Sequence, residues 1–538
     1  MDRNKVKYMH TIWFNGTIYT MQEEHQTVEA VVTYEGSIVD LGNEVDLRSK
    51  YSLLDEVNLK GNTLFPGFVD SHMHLIGHGE SLMRLDLTGC KSKEEALLLL
   101  QEKTEVIPAG QWIVGEGWNE NAWSVPEPFQ KEELDLIAPN HPVVLKRTCR
   151  HMIAVNSLVL SQAGIVETMV DPVGGIIDKK DGMMTGLLMD QAQNLVFDIM
   201  PTASEAYLRL ALQTAIEDCW SKGLVGGHTE DMSYYGGFTK TYGAFQKVIE
   251  DEQKHFRAHL LVHHEVIEDW AAIHTTFKGG SEWLEWGAMK IFADGALGGR
   301  TALLSHPYED DPTTSGIPIH SKESLFTLVK KARSLNLPVA VHTIGDLAFE
   351  WVLDAVKAYP TTSDKRDRFI HGQILRKELI DGFKGVSAII DIQPTFVLSD
   401  FPWVIDRIGE NRMNYNYAWK TLLEEGIHCA GGSDAPIETV APLVGIEAAV
   451  SRSVMVEGNP VVFGEEEKLS VFEAISLFTK GSAYAIHHEH DRGMLKEGYV
   501  ADFTILKDDP FKVNETSIST IPVEMTVVGG RLVYKAER

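Results

Sequence analysis

The segment FPGFVDSHMH at residues 65–74 most constrains what this chain can fold into, because an apolar run ends there in a His-x-His pair. Pro66 and Gly67 are typical of the turn that begins a strand. In a strand, alternate side chains point to the same side, so His72 and His74 would face one way. Two imidazoles on one side of a strand end can bind one metal ion. The alternative is two histidines beside a buried strand, each satisfied by hydrogen bonds.

Three further candidate ligands each end a short apolar run. They are His342 after residues 337–341, His371 after residues 368–370 and Asp434 after residues 427–433. Helical patterns lie between these runs, at residues 348–359 and 376–383. Alternating strands and helices predict a parallel sheet with crossover helices. In a TIM-like (β/α)8 barrel, the carboxyl ends of all strands meet at one face, where residues distant in sequence would converge.

Both ends of the chain resemble short strands instead of barrel units. Residues 11–14 and 17–20 flank an Asn15-Gly16 pair, which favours a hairpin turn between two apolar runs. Residues 501–506, near the other end, have the same strand character. We therefore predict a small β-sandwich domain that is built from both chain ends.

The domain boundaries follow from these patterns. We assign residues 1–64 and 489–538 to the β-sandwich domain and residues 65–488 to the barrel that interrupts it. The spacing of barrel elements is lost between about residues 90 and 217. This predicts a large insertion after the first barrel strand, where inserted segments often supply specificity.

Composition narrows the class of protein. The 538 residues carry 49 basic and 77 acidic side chains, for a net charge of −28, which disfavours nucleic acid and anionic membranes as partners. The four cysteines form no CxxC pair, which is typical of a reducing compartment. No apolar stretch is long enough to span a bilayer, and no signal region follows the first residues. We expect a cytoplasmic protein with a small-molecule substrate. Its oligomeric state stays open, with a homo-oligomer as one alternative.

Several motifs together resemble a known family. They are FPGFVDSHMHL at 65–75, KIFADGALGGRTALL at 290–304, VAVHTIGDLA at 339–348, FIHGQ at 369–373, GGSDAPIETVAPLVGI at 431–446 and GMLKEGYVADFTIL at 493–506. In content and order they are similar to the metal-dependent amidohydrolase superfamily, and to its YtcJ-like branch, amidohydrolase 3. The resemblance covers essentially the whole chain. One departure is Ile370, which stands where relatives often have an acidic residue before the histidine of the sixth strand.

The resemblance implies a metal-binding set that contains the candidate ligands named above and adds Lys290. It comprises His72, His74, Lys290, His342, His371 and Asp434. Imidazole and carboxylate ligands favour a divalent ion of the zinc type, in one or two copies. Such an ion polarises a substrate carbonyl and lowers the pKa of bound water. Asp434 is also the predicted catalytic base, which would pass the proton of water to the leaving amine. A cap or turn residue is the alternative for Asp434.

Lys290 lies inside an apolar run, where a lysine is costly unless it is paired or neutral. Desolvation favours the neutral amine, which can react with carbon dioxide to form a carbamate. Several amidohydrolases bridge two metals with a carboxylated lysine at the corresponding strand. The alternative is an amine that reaches solvent or pairs with Asp294 or Asp434.

Candidate substrate contacts are Arg300, His228, Trp118 and His151. Arg300 follows a glycine-rich loop and could bind a substrate carboxylate bidentately, although a structural salt bridge is an equal alternative. His228 fits a pocket residue or a packed histidine. Trp118 and His151 fall in the predicted insertion and could line a pocket, but a single aromatic residue is more often part of a core.

Three functions stay open at this point. The first is hydrolysis of a non-peptide, amide-type C–N bond by a metal-activated water, as in an N-substituted formamide. The second is deamination of a heterocyclic amine with one metal, and the third is a non-catalytic regulatory role on the same fold. The full ligand set argues against the third function, and Lys290 favours a binuclear amide hydrolase over a mononuclear deaminase.

Overall fold

The computed structural model describes residues 10–51, 54–148, 151–172, 174–201 and 203–537. The chain divides into two compact units. The first combines Met1–Gly79 with Glu205–Arg538, and the second is Glu80–Ser204. Within the described ranges, none of the helices is both long and apolar enough to cross a membrane.

Eight parallel strands form the barrel of the first unit, as the sequence predicts. They are β1 (Phe68–Met73), β2 (Leu224–Thr229), β3 (Arg257–His263), β4 (Leu284–Phe292), β5 (Val339–Thr343), β6 (Asp367–His371), β7 (Ala388–Ile392) and β8 (Cys429–Gly431). Each strand pairs with the next one in this order. The ring is closed beyond β8, where the Asp434 amide donates to the His72 carbonyl at 2.7 Å. The closure therefore joins two of the predicted ligand segments directly.

Helices follow most barrel strands and bury one apolar side. In Glu205–Ser221, for example, Leu208, Ala211, Leu212 and Ala215 are buried at helical spacing. The predicted helices at 348–359 and 376–383 are confirmed as Asp346–Ala358 and Lys377–Phe383. The other helices of this unit are Phe238–Phe245, Ile267–Ala272, Lys322–Ser334, Phe396–Asp400, Trp403–Ile408, Trp419–Glu424, Pro442–Ser451, Val471–Ser476 and Ser482–Ala485. Helix Leu75–Met83 follows β1, and a separate hairpin pairs Ser453–Val456 with Asn459–Val462.

Both chain ends contribute to one further sheet, which confirms the predicted β-domain of the termini. Its order is Arg531–Lys535, Val523–Val528, Phe503–Leu506, Thr63–Pro66, His10–Tyr19, Thr27–Tyr34 and Ser37–Gly42, with Leu54–Asn58 also paired to His10–Tyr19. Trp13 and Ile18 from one end pack in the same core cluster as Phe503 and Val527 from the other. Helix Glu44–Lys50 adds Leu47 to a second cluster.

The predicted hairpin at Asn15-Gly16 is wrong. Residues His10–Tyr19 form one strand, and Asn15 has a left-handed φ of 60° at an irregularity in its pairing register. Before this bulge the strand pairs with Leu54–Asn58, and after it with Thr63–Pro66. Gly16 approaches the Asn62 carbonyl so closely that a Cβ there would lie 2.4 Å from the oxygen. Asn15 therefore forms a bulge and Gly16 allows a close backbone approach. Both features use the same residue types as a turn.

The second unit occupies the connection between β1 and β2 and has its own sheet. Its strands, in spatial order, are Gly175–Lys180, Met183–Asp190, Met152–Val155, Val143–Arg147, Ile113–Trp118 and Leu85–Asp86. Its helices are Lys93–Val106, Lys131–Ile137, Ser157–Gln162 and Asn194–Phe197. The domain limits that we derived from the sequence, with the insertion at about 90–217, stay predictions. Of the four cysteines, Cys149 lies outside the described residues.

A buried ion pair lies inside the barrel. The Arg368 guanidinium of β6 donates to both carboxylate oxygens of Asp391 in β7, at 2.8 and 3.0 Å. Arg368 also donates to the carbonyl of Ser71, the residue before His72. The pair therefore links two later strands to the backbone that carries the first histidine.

Candidate active site

All six predicted metal ligands lie at the carboxyl ends of barrel strands. His72 and His74 belong to the end of β1, Lys290 to β4, His342 to β5, His371 to β6, and Asp434 follows β8. Three of them, His72, His74 and Asp434, each offer a ligand atom within 4.8 Å of the others. The barrel thus brings together residues that are as much as 362 positions apart, from His72 to Asp434.

Asp434 lies between the two histidines of β1. Its Oδ1 atom is 3.4 Å from Nε2 of His72 and 3.4 Å from Nε2 of His74. The same Nε2 atom of His72 is 3.0 Å from Nζ of Lys290. Four potential ligands therefore face a common point.

His342 and His371 form the second part of the site. His342 Nδ1 and His371 Nε2 are 2.9 Å apart. The His371 ring lies 6.0 Å from the His72 ring, measured between centroids, so the two parts of the site adjoin. His371 has a left-handed φ of 77°, a conformation that residues other than glycine rarely adopt and that often marks a functional position.

Three of the four imidazoles use their second ring nitrogen on an acceptor outside the cluster. His74 Nδ1 lies 2.7 Å from the Glu230 carbonyl, His342 Nε2 lies 3.0 Å from the Gly295 carbonyl, and His371 Nδ1 lies 2.7 Å from Oε1 of Gln393. Each of these contacts favours the tautomer whose inward nitrogen carries a lone pair. Lone pairs of several imidazoles that face one another, beside a carboxylate, form a donor set that fits a divalent ion of the zinc type.

Burial determines the charge state of the inner residues. The Lys290 side chain is 0% exposed, and burial lowers the pKa of its amine to about 8. Burial also lowers the pKa of His371 to about 4 and that of His72 well below its ordinary value. For Asp434, burial raises the pKa, but the hydrogen bond with His74 and the nearby positive groups outweigh it and hold the pKa below the usual range. The site therefore combines neutral imidazoles at His72 and His371 with an anionic carboxylate. For His74, burial lowers the pKa, but the hydrogen bond with Asp434 and the charges of Asp434 and Glu230 outweigh it and raise the pKa to about 9, so a metal would have to displace a proton from this ring.

Asp70, which the sequence patterns did not indicate, connects the two ligand segments. Its carboxylate accepts hydrogen bonds from the His72 amide at 2.9 Å and from the Ser433 hydroxyl at 2.6 Å. It thereby joins the strand of the histidine pair to the residue before Asp434. A carboxylate inside an apolar strand was the signal that could have identified it.

The run Thr229-Glu230-Asp231 at the end of β2 supports the histidine pair from the other side. The Leu75 amide, next to His74, donates to the Thr229 hydroxyl at 2.8 Å and to Asp231 Oδ2 at 3.1 Å. The buried Glu230 carboxylate lies 3.7 Å from His74 Nδ1. The sequence patterns indicated His228, which directly precedes this run, but none of its three residues.

His228 and Arg300 lie apart from the ligand cluster. His228 lines a cavity of about 30 Å³ with Gly67 and Ala258, close to the amino ends of β1 and β3, and its ring lies 5.2 Å from that of His259. Arg300 donates to both carboxylate oxygens of Asp310, at 3.1 and 2.8 Å. The guanidinium that could bind a substrate carboxylate is therefore already engaged.

Trp118 and His151 belong to the second unit. Trp118 is fully buried there, in a cluster with Trp123 and Phe129, and its Nε1 atom donates to the Leu145 carbonyl at 3.1 Å. The His151 side chain is 78% exposed, with Nδ1 at 2.9 Å from Asp190 Oδ1. A role of either residue in substrate binding stays a prediction.

Ile370, the departure from the family pattern, is buried inside the barrel. It packs in an apolar cluster with Leu261, Ala288 and Ala340 of the three preceding strands. An acidic residue at this position would lose that packing. The polar partner of His371 is Gln393 instead.

Comparisons with known proteins show the family of the chain. The family model described as "Amidohydrolase family" matches residues 55–534. The chain is 49% identical over 530 residues to "Putative amidohydrolase YtcJ" of Bacillus subtilis (strain 168), which covers 98% of this chain and 100% of that protein. It is 26% identical over 541 residues to "N-substituted formamide deformylase" of Arthrobacter pascens, with 97% of each chain covered.

Solved structures show the same fold. An uncharacterized metal-dependent hydrolase from Pyrococcus horikoshii OT3 superimposes with a TM-score of 0.78 at 28% sequence identity, over 94% of this chain and 99% of that one. An uncharacterized metal-dependent hydrolase from Pyrococcus furiosus superimposes with a TM-score of 0.78 at 29% sequence identity, over 94% of this chain and 100% of that one. Both similarities extend over both compact units.

Proposed function

Because the chain belongs to the amidohydrolase family, we propose that it is a metal-dependent hydrolase of a non-peptide, amide-type C–N bond. The observation that carries this proposal is the convergence of His72, His74 and Asp434 within 4.8 Å, with Lys290 beside His72. The relative named as an N-substituted formamide deformylase supports N-substituted formamides as the first substrates to test.

The residues that would hold the metal follow from the two parts of the site. His72, His74 and Asp434 would bind one ion, and His342 and His371 a second. When bound, such an ion polarises the scissile carbonyl and lowers the pKa of water, so that hydroxide is available near neutral pH. The outer hydrogen bonds of His342 and His371 already favour the tautomer that binding would require.

Asp434 would be the general base of the reaction. Its carboxylate is anionic and reaches the point that both histidines of β1 face. It would accept a proton from the attacking water and deliver it to the nitrogen of the leaving amine. In this way one formamide and one water become one amine and one formic acid, which releases a proton to give formate, and Asp434 returns to its starting state.

Lys290 would carry a carboxyl group. Its neutral amine can attack carbon dioxide, form the N–C bond of a carbamate and release one proton. Burial favours the neutral amine, since it lowers the pKa of Lys290 to about 8. The resulting anionic oxygens would lie beside His72 and could serve both parts of the site, so that two ions are bound.

Removal of the metal should abolish the activity. After dialysis against a chelator we expect release of formate from N-substituted formamides to fall to background, and Zn²⁺ or Mn²⁺ to restore it, because the ion would polarise the carbonyl and activate the water. Formate release and metal content by mass spectrometry are the two measurements.

A matched pair of histidine variants provides the control. His72→Ala should lower the metal content, whereas His490→Gln should not, because the His490 side chain is 91% exposed. Full activity of protein that is shown to be metal-free would refute the proposal. Release of ammonia from heterocyclic amines, with one metal per chain and no formate, would favour the deaminase.

Lys290→Ala tests the second metal. We expect the variant to bind one ion fewer than the wild type, because it lacks the group that would serve both parts of the site. Added bicarbonate or a short carboxylate should restore part of the activity, as the cavity left by the side chain can admit a small anion. An unchanged metal count would remove Lys290 from the ligand set.

A further inference from the structure

Outside the proposed active site, a second pair of histidines has its two rings in contact with each other. His264 directly follows β3 and begins the one-turn helix His264–Val266, and His320 precedes Ser321, which caps helix Lys322–Ser334. The Nε2 atoms of His264 and His320 are 3.0 Å apart, and their ring planes are inclined by 64°. Two backbone segments from different barrel connections thus hold two imidazole nitrogens at one point.

This separation is close to that of two ligands on one ion. Zinc binds imidazole nitrogen at about 2.0–2.1 Å, so tetrahedral coordination places two such nitrogens about 3.3 Å apart. The two rings therefore need to separate by only a few tenths of an ångström. Without an ion, the same two nitrogens can share only one proton, since one of them must act as the acceptor.

The surroundings also suit a cation. Burial lowers the pKa of both His264 and His320, so both rings are neutral near pH 7 and have the lone pairs that a metal requires. Glu265 follows His264 in the chain, and its 70% exposed side chain has its carboxylate 3.7 Å from His263 Nδ1, so it would have to change rotamer to join the pair.

We propose that His264 and His320 form a second metal site, which takes a divalent ion with a preference for imidazole nitrogen, Cu²⁺ or Zn²⁺. Glu265 and water would complete the coordination. Cu²⁺ has the highest affinity of the first-row divalent ions for such ligands and is the probe of choice. This site does not depend on the proposed hydrolytic function.

The pair adjoins the proposed active site without belonging to it. The ring of His263, one residue before His264, lies 5.7 Å from that of Phe292. Phe292 in turn lies 4.6 Å from Lys290 Nζ, measured to the ring centroid. An added metal ion could therefore bind by displacing an ion from the proposed active site. A test of the second site has to measure both the metal that binds and the metal that is released.

The experiment is a Cu²⁺ titration of protein that carries Zn²⁺ in the proposed active site only, as shown by an equal Zn²⁺ content of the wild type and His320→Gln. We expect one additional Cu²⁺ per chain without release of Zn²⁺, and an electron paramagnetic resonance signal with two imidazole nitrogens. His320→Gln should weaken this binding at least about 10-fold, because loss of even an outer partner of a ligand typically costs 10–100-fold in metal affinity.

His264→Gln should weaken Cu²⁺ binding as much as His320→Gln, and it replaces that variant if the latter fails to fold. His490→Gln removes an exposed histidine and should leave the Cu²⁺ affinity unchanged. The proposal is overturned if Cu²⁺ binds only as Zn²⁺ is released, if its signal shows fewer than two nitrogens, or if both variants bind it as the wild type does.

Discussion

Replacement of Asp434 by asparagine is expected to lower kcat by about 10² or more, the effect typical of losing a general base. The amide cannot accept the proton of the attacking water, although it is almost equal in size to the carboxylate. His72 and His74 remain in place, so the variant should retain much of its metal. A fall in rate that is larger than the fall in metal content is the expected signature.

The asparagine variant isolates the chemical effect because it preserves the backbone. Asp434 has a left-handed φ of 58°, a conformation that asparagine tolerates better than most residues. The Asp434 amide also donates to the His72 carbonyl, and this contact is independent of the side chain. Alanine at this position would add backbone strain to the loss of the carboxylate.

Steady-state kinetics and metal analysis of the same preparation are the measurements. Asp46→Asn, on the exposed side of helix Glu44–Lys50, changes the same functional group far from the site and should leave kcat unchanged. If Asp434→Asn has the kcat of the wild type, Asp434 has a structural role. If metal content falls in proportion to activity, it acts first as a ligand.

Asp391→Leu is expected to destabilise the barrel by about 3–5 kcal/mol, the cost of leaving one partner of a buried ion pair uncompensated. Arg368 is 1% exposed and Asp391 is 0% exposed, so neither charge can reach water. Without Asp391, the Arg368 guanidinium retains only the Ser71 carbonyl among the partners described above. The lower free energy of unfolding should appear in urea denaturation followed by circular dichroism.

The double variant Arg368→Met/Asp391→Leu is the matched control. Replacing both partners of a buried pair by apolar residues is often nearly neutral, so this variant should recover most of the stability that Asp391→Leu loses. A single variant with the unfolding midpoint of the wild type would show that the interior admits water around Arg368. If the double variant is as unstable as Asp391→Leu, the loss of stability comes from altered packing and not from the unpaired charge.

The elements that the sequence predicts well are those governed by short-range periodicity. The strand end at His72 and His74, and the helix at Asp346–Ala358, each follow from the spacing of apolar residues over a few positions. The motif order placed Lys290, His342 and His371 at strand ends in the same way, and the structure brings all of them to one face of the barrel. Asn15-Gly16 shows the limit of such local signals, because a bulge and a turn use the same residues.

The sequence did not predict which residues support the proposed metal ligands. Glu230 supports His74 across 156 positions, and Asp70 binds Ser433 across 363, and no local pattern encodes contacts of that length. Only the closed ring of strands makes them neighbours, since β1 lies between β2 and β8.

For this protein, then, the sequence by itself determined the barrel, the sheet of the two chain ends and the residue types of a metal site, because apolar periodicity and ligand chemistry are local properties. The tertiary structure alone decided which nitrogen of each histidine points inward, how Asp434 is held between His72 and His74, and that Arg300 is engaged by Asp310. These depend on side-chain orientation and on contacts between distant strands, which are fixed only when the whole ring is packed.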